Sequence, residues 1–235
     1  MKASSAWFHS ALRENRSHSS APTVIRALFT RIMDEERFEE RGELLRAFEA
    51  VRARAEELEG SAFGAEALPV LRKVERSVQA LGLFSPNEPF EELDPQLQPL
   101  VLLPYLLALA EGSQRAQPLA ALARAERYLT AFLDLTRHYA LLSPLAARVL
   151  AQSRGAESFR LTREDKIALY REEKAAQEQG EKLAAAGKLR EIHANLIALH
   201  ALRALNRLLL LPQERQVLEF GARLEADPQA RADYD

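Results

Sequence analysis

The sequence predicts an all-α fold, with antiparallel helix pairs stacked as an α-solenoid of roughly nine helices. Three observations carry this. Apolar residues recur at helical spacing almost from end to end, and alternating strand-like segments are absent. Glycines number nine in 235 residues and fall mostly where helices would end. The links between periodic runs are short, as in bundles of neighbouring antiparallel helices.

Residues 7–16 read as a first helix, closed by the polar run Ser17-His18-Ser19-Ser20. Pro22 opens a second, through Val24, Ile25, Leu28, Phe29 and Ile32. Residues 42–59 carry Leu44, Leu45, Phe48, Val51 and Leu58 at helical spacing with Gly60 as the stop, and 68–81 follows, ended near Gly82. Pro86 and Pro89 keep 83–89 out of a helix. Asp94-Pro95 has the form of an N-cap followed by Pro at the first helical position. It opens a run from Leu97 to Leu109 whose near-continuous hydrophobicity marks the most buried element, with Pro104 expected to bend it. Residues 118–139 form a long amphipathic helix with Leu122, Leu129, Phe132, Leu133 and Leu135 inward. Ser143-Pro144 restarts a short helix to 151, and 153–158 is loop. Thr162 caps the next helix, with Asp165 at the capping-box distance, and Gly180 or Gly187 ends it. Residues 188–211 return antiparallel, Pro212 marks a break, and a last helix fades after Ala226. A single helical-repeat domain is therefore expected over 1–226, with 227–235 a polar, flexible end. No strict sequence period appears, so the repeats are degenerate.

Composition narrows the function. Lys plus Arg is 32 and Asp plus Glu is 34, a net charge of −2, which argues against bulk binding to nucleic acid. Any electrostatic role must be local. With no cysteine, disulfides, Cys-based zinc sites and a thiol nucleophile are excluded. No uninterrupted apolar run approaches the length that spans a bilayer, and the first residues lack a signal-peptide core. A cytoplasmic protein is expected, with the nucleus a second compartment, acting without membrane or cofactor and monomeric when free.

Catalytic constellations are weak. His193 and His200 lie seven apart, too far for a chelating pair on one helix, and read as packing or surface histidines. There is no Gly-rich phosphate loop and no G-x-S-x-G. The run 39–48 is partly similar to a ubiquitin-interacting helix, but Val51 stands where such motifs carry Ser, and a plain amphipathic helix accounts for it.

One stretch differs in kind. At about 100° per residue, Arg163, Ile167, Tyr170 and Lys174 fall within an arc of roughly 60°, with Lys166 beside it. Glu164, Asp165 and Glu172 point mostly away. A buried face would be apolar and a merely solvated one would mix both signs with i,i+4 pairs. This stripe suits an acidic, partly apolar partner.

Four segments in order carry a resemblance. They are Leu83-Phe84-Ser85-Pro86-Asn87-Glu88 with Glu91-Glu92-Leu93, then Leu102-Leu103-Pro104-Tyr105-Leu106-Leu107, then Tyr128-Leu129-Thr130-Ala131-Phe132-Leu133 with Tyr139-Ala140-Leu141-Leu142. The fourth is the Arg-x-x-Lys-Ile pattern at Arg163, Lys166 and Ile167, with Tyr170 and Lys174 beyond. Over residues 20–225 the chain resembles the alpha-four and Tap-forty-two regulatory proteins, partners of type 2A protein phosphatase catalytic subunits. The resemblance implies a tetratricopeptide-like helical fold with no enzymatic activity of its own. It implies that Arg163 and Lys166 grip acidic residues of the catalytic subunit, with Ile167, Tyr170, Lys174, Arg190 and Glu191 alongside. It further implies a protein that holds the catalytic subunit latent, shields it from degradation and acts in target-of-rapamycin signalling. Two departures stand out. The family's long acidic C-terminal extension is missing, and Arg190-Glu191 is followed by Ile192-His193 where relatives often carry aromatic residues. The competing expectation is a generic helical-repeat adaptor that captures a peptide in its groove near Tyr105 or Tyr128. A metal-dependent hydrolase is a third.

Overall fold

The computed structural model describes residues 41–57, 61–84, 88–155 and 159–226. They form seven α-helices: α1 (Arg41–Glu57), α2 (Ser61–Leu81), α3 (Leu103–Gly112), α4 (Pro118–His138), α5 (Pro144–Arg154), α6 (Arg163–Ala186) and α7 (Leu189–Ala226). A 3-10 segment, Gln98–Leu102, leads into α3. No strand occurs among the described residues. The helices expected over 7–16 and 22–32 lie outside the described residues.

Among the described residues the count is seven, against roughly nine expected for the whole chain, and one expected break is absent. Pro212 does not end a helix; α7 runs through it. Leu211 is buried just before the proline, and Arg215 is ion-paired to Glu126 of α4 just after it. Packing on both sides offsets the one lost hydrogen bond. α2 likewise begins seven residues earlier than its periodicity suggested, at Ser61, and carries Pro69 within it. Phe63, Ala67, Val70, Leu71 and Val74 are buried on either side of that exposed proline. Asp94 caps a turn rather than a helix, its Oδ1 accepting from the Gln96 N–H at 2.9 Å. Pro99 and Pro104 each occupy the first turn of a segment, where a missing N–H costs nothing. The expected bend at Pro104 is thus a switch from 3-10 to α geometry.

Gly64 shows why α2 can start where it does. A Cβ built there would lie 2.0 Å from Ser113 Oγ and 2.6 Å from the Ala110 carbonyl oxygen. Only glycine lets the first turn of α2 approach the last turn of α3 so closely. We expect Gly64→Ala to destabilise by about 1–3 kcal/mol, since backbone must shift, measured as a lower urea midpoint. An unchanged midpoint would show the approach to be dispensable.

The core runs through the whole array. Phe48 of α1, Leu71 of α2, Leu107 of α3, Phe132 and Leu133 of α4 and Leu150 of α5 are all fully buried. α1 packs on α2, α2 on α3 and α3 on α4; the neighbour of α4 is then α7, not α5. α6 packs on α7, with α5 touching both. α7 is long and apolar enough to cross a bilayer by length and composition, yet Ile197, Ala201, Leu202, Ala204 and Leu205 are buried in the fold. α6 is left as an outer layer with one side covered.

A charged clamp ties three of these helices. The Glu111 carboxylate has no exposed surface and accepts from Arg72 of α2 at 2.5 Å and Arg124 of α4 at 2.7 Å. Burial pushes its carboxyl up, but the two guanidinium bonds outweigh this and hold it below the ordinary carboxylate value. Next to it, Tyr128 donates to Glu75 at 3.1 Å, and burial together with that carboxylate raises its phenol to about 12.

Candidate partner-docking face

Thr162 is extended and its Oγ accepts from the Asp165 N–H at 3.0 Å, which fixes the start of α6. Gly187, at φ 66°, ends the helix in the left-handed region, while Gly180 is buried inside it. Between these points the apolar side of α6, with Leu169, Gly180 and Leu183, is turned into the fold. By helical rotation the side opposite carries Arg163, Ile167, Tyr170 and Lys174.

Three of the acidic residues of α6 are engaged elsewhere. Asp165 accepts from Arg148 of α5 at 2.6 Å, and this hydrogen bond holds its carboxyl below the usual range. Glu172 accepts from Ser143 Oγ at 2.6 Å, and Glu173 from Arg203 of α7 at 3.0 Å. Asn195 of α7 donates to the Ala176 carbonyl at 2.8 Å, fixing the two helices side by side. Arg148 is a residue the sequence reading missed. It sits 17 positions from Asp165, and no local spacing signals the pair.

The stripe itself is cationic and apolar, with Glu164, Glu178 and Glu181 also exposed on the helix. Arg163, Lys166 and Lys174 are exposed, and none makes an ion pair or side-chain hydrogen bond among the described residues. Ile167 is 42% and Tyr170 67% exposed, a high value for side chains of this size that could otherwise be packed. From Arg163 to Lys174 the stripe is about 17 Å long at the helical rise.

Arg190 and Glu191 are placed differently. They open α7, beyond the far end of α6, about 35 Å from Arg163 by helical rise. Arg190 donates to the Glu91 carbonyl oxygen, and Glu191 takes Lys188 at 2.9 Å. The structure brings neither to the stripe; Arg190 ties the start of α7 to the segment around Glu91.

The competing sites are occupied by packing. Tyr105 is 7% exposed, its ring against Phe132, and Tyr128 is bonded to Glu75. Neither offers a free groove surface. His193 Nδ1 lies 3.2 Å from Gln98 Oε1, and His200 stacks on Tyr105 with ring centroids 4.8 Å apart. Burial lowers the His200 imidazole to about 3, so it is neutral at physiological pH. No group of three or more His, Asp or Glu side chains placed to hold a metal ion occurs among the described residues. Leu44, Ala47, Phe48 and Val51 are buried in α1, so the part of the ubiquitin-interacting-like run that is described spends its apolar face on the core.

Comparison with known proteins adds to this geometry. The profile of the TAP42-like family matches residues 35–235. Among solved structures the chain is similar to one titled "The Structure of Tap42 Alpha4 Subunit". The TM-score is 0.53 at 18% identity, over 84% of this chain and 95% of that one, a likeness of fold. A search of curated proteins finds no match.

Proposed function

Because this chain belongs to the TAP42-like family, a family of phosphatase-associated regulators, we propose that it binds the catalytic subunit of type 2A-like serine/threonine phosphatases through the outward face of α6. It has no catalytic role of its own. It holds the catalytic subunit latent, shields it from degradation, and does so within target-of-rapamycin signalling.

The observation that carries this reading is the unneutralised stripe. Arg163, Lys166 and Lys174 stand exposed beside Ile167 and Tyr170, while Asp165, Glu172 and Glu173 of the same helix are committed to Arg148, Ser143 and Arg203. Leaving cations unpaired next to exposed apolar side chains suits an acidic, partly apolar partner surface. Arg190 and Glu191, at the start of α7, lie apart from this stripe.

Mixing the purified chain with a purified type 2A catalytic subunit tests the proposal. The expected result is co-elution as a complex at micromolar concentration and slower proteolysis of the catalytic subunit. Separate elution, with proteolysis unchanged, refutes it.

A further inference from the structure

The side of α7 that packs on α6 does not end where α6 begins. Asn195 and Arg203, which bond the Ala176 carbonyl and Glu173 of α6, mark that side. The two bonds step forward along α7 and backward along α6, so the helices are antiparallel. Leu210, seven positions beyond Arg203, therefore comes level with Lys166, seven before Glu173. Arg163 comes level with about residue 213, and α7 runs on to Ala226, about 20 Å past the start of α6. Helical rotation puts Leu210, Val217, Phe220 and Leu224 in one arc of about 100° with Asn195 and Arg203.

Beyond α6 this side is open. Leu210 is 58%, Val217 70% and Phe220 44% exposed. The far side of the same tail is held, because Arg215 is paired to Glu126 of α4 and Leu218 packs on the core. Steps of seven, three and four residues from Leu210 to Leu224 are those of a seam between two helices. A line of exposed apolar side chains on a fixed helix marks an interaction surface.

A stable complex buries about 800 Å² on each partner. The α6 stripe, about 17 Å long on a helix about 10 Å across, has a footprint of about 170 Å². The α7 seam, about 21 Å long, adds about as much again. Two copies paired seam to seam would fall well short of the roughly 1,200 Å² total that a stable dimer needs. The stripe and the seam meet where Lys166 stands level with Leu210, so one partner can cover both.

We propose that the α7 seam prolongs the α6 stripe into a single docking surface. The phosphatase catalytic subunit lays an apolar ridge along Leu210, Val217 and Phe220, while its acidic residues meet Arg163 and Lys166. This rests on the reading of α6 as the phosphatase grip and adds an uncharged contact to it. Exposed Glu214, Glu219 and Glu225 outnumber Arg223 along the tail of α7, which keeps the partner's acids at α6.

Leu210→Gln with Val217→Gln removes the apolar contact without adding charge, and Gln suits a helix. Calorimetric titration with a purified type 2A catalytic subunit compares wild type, this protein and the Arg163→Glu, Lys166→Glu protein at two salt concentrations. The Gln protein is expected to bind about tenfold more weakly, by the same factor at both salts, because apolar burial is not screened. The loss from charge reversal should instead shrink as salt rises. Sedimentation and melting temperature of the free Gln protein should match the wild type. Undiminished affinity of the Gln protein overturns the seam and leaves the α6 reading standing, whereas failure of the wild type to bind removes both. A melting temperature lowered by several degrees would mean that the chain itself covers the seam. A wild-type dimer split by the substitutions would give the seam to a second copy, and either result overturns the proposal.

Discussion

Replacing Arg163 and Lys166 together by Glu is expected to weaken binding of a type 2A catalytic subunit at least tens-fold while leaving helicity and melting temperature near wild type. The size follows from the chemistry of a docked charge. Removing one partner of a desolvated pair costs about 2–5 kcal/mol, and reversal adds repulsion from the acid it faced. The selectivity follows from this fold. Neither residue has a partner within the described chain, so the free protein loses nothing when they change. The capping bond from the Asp165 N–H to Thr162 and the Arg148–Asp165 pair hold the first turn of α6 regardless. Wild-type affinity should also fall with added salt, more steeply than that of the variant, because the exposed cations are screened before docking. Calorimetric titration of both proteins at two salt concentrations reads this. Equal affinity of the two would remove the stripe from the interface.

How much of this could be read without coordinates depends on whether the cause is local. The buried faces of α1 and α4 were legible, since the spacing of Phe48 and Val51, or of Leu129, Phe132 and Leu133, is set by helical rotation alone. The cap at Thr162 was legible for the same reason. Pro212 misled, because it is a helix breaker by propensity that neighbouring helices override. The outward stripe of α6 could be drawn from rotation. Its lack of neutralising partners could not: Ser143 and Arg203 reach Glu172 and Glu173 from 29 and 30 positions away. Arg190 was grouped with the stripe by resemblance, whereas its side chain crosses 99 positions to bond the Glu91 carbonyl. Long-range pairing decides which charges remain available, and sequence spacing is silent about it.

The largest expected effect on stability lies at Glu111. Glu111→Ala leaves Arg72 and Arg124 facing each other with no carboxylate between α2, α3 and α4. Breaking a buried pair from one side costs about 3–5 kcal/mol. Here the lower end applies, because the two arginine side chains keep 45% and 30% exposure and can take up water. About 3 kcal/mol corresponds to a fall of roughly 6–12 °C in melting temperature for a chain of this size. The pH dependence gives a second, independent reading. Folding lowers the Glu111 carboxyl from its ordinary value of 4.5, so the unfolded state binds the proton more readily. The stabilisation is therefore complete above pH 4.5 and is lost as pH falls through the lower folded value. Urea midpoints of wild type and variant should differ by a constant amount from neutrality down to about pH 5 and converge below pH 4.5. A gap that stays constant or widens in acid would mean that the carboxylate charge is not what joins the three helices, leaving only the packing of its methylenes as the cause.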